Sequence, residues 1–176
     1  MIFKRQDPYR VVVSMAGVKM GDRLLLVGCS HAGRFGAVAV KVGLSGRAAA
    51  IVPDESSAAR ARKGAADAGA LIDLDVASPT ELAVADADFD LAVVDDGAGA
   101  IGALGPGERR RALAELRRVI RPSGRVVVIG ATRPTGVRAL IARAPSTASS
   151  RHRATRFAVS RPRGSGRCER SPSATG

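Results

Sequence analysis

Two aspartates, Asp95 and Asp96, directly follow the apolar run from Phe89 to Val94, and His31 follows the Gly-Cys-Ser sequence at residues 28–30. Paired carboxylates at the end of a strand can position a base or contribute oxygen ligands to Mg²⁺, although two are fewer than such an ion requires. An imidazole titrates near neutrality, which makes His31 a candidate general base. Plainer roles compete with each of these, namely turn or helix capping for the aspartates and a surface loop for the histidine. The only cysteines, Cys29 and Cys168, provide neither a disulfide framework nor a metal-ligand cluster. There is no GxxxxGK[ST] phosphate loop, and the spacing of Gly28, Gly33 and Gly36 does not match GxGxxG.

Something must hold these side chains at the ends of ordered elements. Residues 23–28 (RLLLVG) form a short continuous apolar run ended by Gly, as expected for a strand buried on both faces of a parallel sheet, and similar apolar-rich runs occur at 48–52, 70–74, 89–94 and 125–129. Helical segments are expected over 33–42, over 56–68 with Gly69 as a stop signal, and over 107–120. In the last, Ala112, Leu113, Leu116, Val119 and Ile120 recur at helical spacing while Arg110, Arg111, Arg117 and Arg118 can face solvent. The expected order is βαβαβαβαβ, and this alternation predicts right-handed crossovers, a Rossmann-like doubly wound α/β fold with a mainly parallel sheet of about five strands, and helices on both faces. Ligands are then expected beyond the carboxyl ends of the strands, first of all at the turn after residue 28.

The totals fit that architecture. The chain has 176 residues, 45% of them hydrophobic and only 3% aromatic, with no Trp, so the core must be built from Ala, Val, Leu and Ile. No apolar stretch approaches the roughly 20 residues of a membrane span, and the first ten residues lack a secretory apolar centre, so a cytoplasmic location is expected. The net charge of +12 is unevenly placed: residues 1–142 carry 20 basic and 15 acidic side chains, whereas residues 143–176 carry eight Arg and one Glu. The expected organisation is therefore a globular domain over 1–142 and a basic tail over 143–176, rich in Ser, Arg and Pro and disordered, with one weak strand candidate at 157–159.

Four segments resemble the class I S-adenosylmethionine-dependent methyltransferase family. GDRLLLVGCSHAGRFGAVAV is similar to its first motif, a strand ending in a glycine-rich turn. GRAAAIVPDESSAARARKGAADAG is similar to its second strand and helix, and FDLAVVDD to its fourth strand. LAELRRVIRPSGRVVVIG, a helix followed by Arg-Pro-Ser-Gly-Arg and a hydrophobic strand, is the most specific piece. The resemblance implies S-adenosylmethionine as cofactor, held through Gly28, Cys29, Ser30, Gly33, Asp54, Asp75 and Asp95, with Asp95, Asp96 or His31 nearest the chemistry.

The departures from the family pattern are specific. Leu26 stands where the family places an acidic residue, and Ser30 where it places a glycine that lets backbone approach the cofactor. In ungapped register Val52 occupies the position of the ribose-binding carboxylate, with Asp54 and Glu55 two and three residues beyond. Either of those reaches the ribose or caps the following helix. A carboxylate restored at Val52 is expected to tighten cofactor binding, unless Val52 is a buried strand residue. Three functions follow: methyl transfer to a small-molecule acceptor, a non-catalytic methyltransferase-like partner subunit, or nucleic-acid association through the Arg-rich tail.

Overall fold

The computed structural model describes residues 9–130. Helix α1 (Arg10–Ala16) precedes β1 (Arg23–Val27), α2 (Ala32–Ala39), β2 (Arg47–Val52) and α3 (Glu55–Ala68). These are followed by β3 (Asp73–Val76), β4 (Phe89–Asp95), α4 (Pro106–Val119) and β5 (Ile120–Ile129). The five strands form one parallel sheet in the order β3-β2-β1-β4-β5, with Leu26 opposite Ala50 on β2 and Val93 on β4. The chain therefore winds outward in one direction from β1 to β3 and in the other from β4 to β5. The switch point lies between β1 and β4, where a crevice opens beyond the carboxyl ends of the strands.

Both faces of the sheet are covered, as the continuous apolar strands require. On one face Leu24, Leu26, Ala50, Val52, Leu91 and Val93 pack against Ala16 of α1, Phe35 and Val38 of α2, and Ala58, Ala61 and Ala65 of α3. On the other, Leu25, Val27, Ile51, Ala92 and Val94 meet Ala112, Leu113, Leu116 and Val119 of α4. Small side chains bring the first layer very close. A Cβ on Gly36 would overlap the backbone of Gly64, and one on Gly64 would overlap the carbonyl of Ala32, so α2 and α3 touch backbone to backbone.

Three sequence expectations are corrected. The third strand runs over Asp73–Val76 rather than 70–74, because Gly69 takes a left-handed conformation (φ 67°) and Ala70 N–H donates to Ala65 O, so this stretch finishes α3. Asp75 consequently lies within the strand and not after it. Nor does a helix join β3 to β4: residues 77–88 form a connection that Arg118 gathers by donating to the carbonyls of Leu82 and Val84 and to Asp86. The fifth strand begins at Ile120, directly after α4, and is interrupted by a bulge between the pairs Phe89↔Ile120 and Leu91↔Arg125. The expected tail at 143–176 and its strand candidate lie outside the described residues. No helix among the described residues is long and apolar enough to cross a membrane.

Candidate functional site

The turn after β1 meets the exit of β4 at the switch point. Gly28 adopts φ 79°, and its N–H donates to Ile51 O at 2.8 Å, tying the turn to β2. A Cβ here would stand 2.6 Å from the Asp95 carbonyl oxygen and 2.7 Å from Ala100 Cβ, so glycine is required by the protein's own backbone. Cys29 is buried, and burial followed by the charge of Asp95 pushes its thiol up to about 11. Its carbonyl accepts from Arg60 Nε at 3.1 Å, while Arg60 Nη2 donates to Ser57 Oγ at 2.8 Å; together these bonds fasten the turn to α3.

Asp95 is the organising group. Its carboxylate accepts Ser30 N–H at 2.9 Å, Ser30 Oγ at 2.8 Å and Arg34 Nη2 at 2.6 Å, and Gly97 N–H lies 3.2 Å away. The side chain is only 9% exposed. Burial alone would raise its pKa, but the bonds from Arg34 and Ser30 outweigh that and hold the carboxyl below its ordinary value, so it is ionised. Arg34 also donates to Ser30 Oγ, while its buried Nε has no partner. The space left among Leu26, Gly28, Arg34, Phe35, Val93 and Asp95 is about 10 Å³, at the lower limit for one water molecule. A larger apolar groove of about 200 Å³ lies at the opposite ends of the strands, beside Val40, Leu44 and Leu71, away from every polar group described above.

The other candidate residues are dispersed. Asp96 organises the following loop by accepting Ile101 and Gly102 N–H at 2.8 and 2.7 Å. His31 is exposed beside Tyr9, whose hydroxyl is 3.3 Å from Nδ1. Gly33 lies in the first turn of α2 beneath the same ring, where a Cβ would be 2.7 Å from Tyr9 Oη. Asp54 is the N-cap of α3, accepting Ser57 N–H at 2.8 Å; bonds from the Ser56 hydroxyl and the Ser57 N–H lower its pKa to about 2. Asp75 is exposed on β3, the outer strand, in register with Ile51. Of the sequence candidates, only Gly28, Cys29, Ser30 and Asp95 come together. Arg34 and Arg60 join them and were not among the candidates; Arg34 is the single charged residue of AGRFGAVA, and that was the available signal.

A turn opened by a left-handed glycine, Gly28, at the switch point of a parallel sheet defines an α/β domain of the nucleotide-cofactor-binding class. A family model described as a methyltransferase domain matches residues 25–128. The chain belongs to this methyltransferase-domain family. Among solved structures, a SAM-dependent methyltransferase from Aquifex aeolicus is 21% identical, with 69% of this chain and 62% of that chain aligned and a TM-score of 0.56. The PH0226 protein from Pyrococcus horikoshii is also 21% identical, over 79% and 64% of the two chains, with a TM-score of 0.56. The [4+2]-cyclase SpnF is 25% identical over 68% and 43%, with a TM-score of 0.53. This chain thus spans between two fifths and two thirds of the length of these neighbours. No curated protein matches it in sequence.

The residues present fit the family's cofactor unevenly. At the β1–β4 crevice the ionised Asp95 and the unpartnered Arg34 Nε are polar groups of both signs beside the glycine turn. At the end of β2, Val52 is fully buried in the core and Asp54 is committed to its helix cap, so the ribose end lacks the expected acceptor on that strand.

Proposed function

We propose that the domain is an S-adenosylmethionine-dependent methyltransferase acting on a small-molecule acceptor. The observation that carries this reading is the crevice itself: Gly28, Cys29, Ser30 and Asp95 converge at the switch point of a sheet whose sequence matches the methyltransferase-domain family. When bound, the cofactor supplies an electrophilic methyl group. Gly28 to Ser30 and Asp95 bind it, and the residues beyond β4, including Asp96, shape the side from which an acceptor enters. Methyl transfer to a good nucleophile depends mainly on alignment, so an exposed His31 and an ionised Asp95 with a lowered pKa are compatible with transfer without a strong general base.

A second reading, a non-catalytic domain of the same fold, is favoured by buried Val52 at the ribose position and by the small space beside Arg34. Calorimetric titration of the full chain with S-adenosylmethionine and S-adenosylhomocysteine separates the two. Saturable binding of both supports the methyltransferase. Absence of heat and of any thermal stabilisation by either ligand at millimolar concentration refutes it and leaves the non-catalytic domain.

A further inference from the structure

The outer face of α4 carries charge that the fold does not use. Its sequence, PGERRRALAELRRV, contains five Arg and two Glu, and both glutamates are engaged. Glu108 accepts Gly105 N–H at 3.1 Å, and Glu115 accepts Leu82 N–H while pairing with Arg118. Arg109 donates only to the carbonyls of Gly102 and Leu104, which leave its charge unneutralised. Arg110 and Arg111 are exposed, and among the described residues neither forms a hydrogen bond or an ion pair. With Ala112, Leu113, Leu116 and Val119 buried, helical spacing sets Arg110, Arg111, Ala114 and Arg117 on the opposite, exposed face. Arg110 and Arg117 stand about 10 Å apart along the helix axis.

Helix stability does not account for this placement. Arg109, Arg110 and Arg111 lie in the first two turns of α4, at the end where the macrodipole disfavours cations. Nor has this face the apolar content of a helix that embeds in a membrane surface: the exposed large hydrophobic residues lie on α1, on β3 or in connections, and none on α4. What α4 presents is guanidinium, whose planar fork matches phosphate oxygens, with no aromatic ring on which a base could stack. From this arrangement we infer that the exposed face of α4 binds the phosphate backbone of a nucleic acid irrespective of base sequence, with Arg110 and Arg111 at its centre. The inference goes beyond the cofactor reading and does not rest on it, since the glycine turn takes no part.

Fluorescence anisotropy of the full chain with a labelled single-stranded RNA of ~20 nucleotides, the DNA of the same sequence and its duplex, across about 50–200 mM salt, tests this reading. Flotation with vesicles of phosphatidylserine and phosphatidylcholine is the parallel arm. Two double variants remove the same charge: Arg110→Gln with Arg111→Gln on α4, and Lys41→Gln with Arg62→Gln, exposed residues elsewhere. The α4 variant is expected to weaken nucleic-acid binding on the order of tenfold at the lowest salt. It should also flatten the logarithmic salt dependence for single strands by about 1.4, two phosphate contacts at about 0.7 each. The control variant is expected to change neither. Such behaviour with RNA or with DNA supports the inference, and the tighter of the two identifies the partner. Equal loss in both variants shows attraction by net charge alone and overturns it. Undiminished binding in the α4 variant, absence of nucleic-acid binding, or α4-dependent binding to vesicles alone overturns it too. The melting temperature of the α4 variant should be unchanged or raised, because cations leave the unfavourable end of the helix. A lowered one would mean that these arginines serve the fold, against the inference.

Discussion

Replacing Val52 by aspartate places a carboxyl group at the end of β2 in a position with no solvent exposure, within the apolar layer that contains Ala50, Ala58 and Ala61. Aspartate is close to valine in size, so the cost is chemical and not a cavity. Losing the apolar burial of valine costs about 1.5–3 kcal/mol. Keeping the carboxyl protonated at pH 7, when its ordinary pKa is about 3.9, costs about 4 kcal/mol more. The combined penalty of about 5–7 kcal/mol is comparable to the whole stability of a typical domain, about 5–15 kcal/mol. The folded-state pKa of the new group is raised, so the folded form binds more protons than the unfolded one above pH 4, and relative stability falls as pH rises through that range. Urea unfolding at pH 4 and pH 7 should therefore show the deficit of Val52→Asp narrowing by about 3–4 kcal/mol at the lower pH. Val52→Asn, which cannot titrate, should show a deficit independent of pH. Wild-type stability of Val52→Asp at pH 7, or a deficit that ignores pH, would refute the burial argument and return Val52 to the ribose position that ungapped register suggests.

Other perturbations follow from the same geometry. Gly28→Ala introduces a side chain at φ 79° and 2.6 Å from the Asp95 carbonyl oxygen, and should lower stability by at least about 1–3 kcal/mol in thermal or urea melts; an unchanged midpoint would contradict the left-handed turn. Asp54→Ala should destabilise the protein at neutral pH, because the N-cap bonds to Ser57 are lost. That folded-state pKa is lowered to about 2, so the stabilisation is present above about pH 4 and disappears as pH falls toward 2, and the two melting curves should converge there. Cys29, with its thiol at about 11 and 1% exposure, should resist alkylation at pH 8 in the native protein and react after denaturation, as read by peptide mass mapping. Native labelling at that position would mean that the glycine turn opens.

The central strands were legible because LLLV of β1, AAAIV of β2 and LAVV of β4 are continuous apolar runs, with no polar alternation to confuse with an amphipathic edge. The displaced third strand arose from local chemistry, since Gly69 and Ala70 serve the end of α3 and leave the apolar Leu71 exposed. At the site, the glycine turn could be read from the Gly-Cys-Ser sequence, whereas the partnership of Arg34 with Asp95 spans 61 positions and depends on how α2 is docked. Asp54 shows the reverse. Its two readings, ligand or cap, were both open in the sequence, and the phase of α3 selects the cap by bringing Ser57 N–H to 2.8 Å.

The backbone contact between α2 and α3 has a mechanical consequence. Helices that meet through leucines or valines can slide, because side chains change rotamer to absorb the offset. At Gly36 and Gly64 there is no such cushion, and the two helices share a rigid pivot. Displacing Arg34 by tilting α2 must therefore swing α3 as well, carrying the Asp54 cap and the Arg60 strut that grips the Cys29 carbonyl. The two helices work as one lever on the glycine turn. Amide exchange in the first turn of α3 should respond to a ligand that never touches it, at the same concentration at which α2 responds.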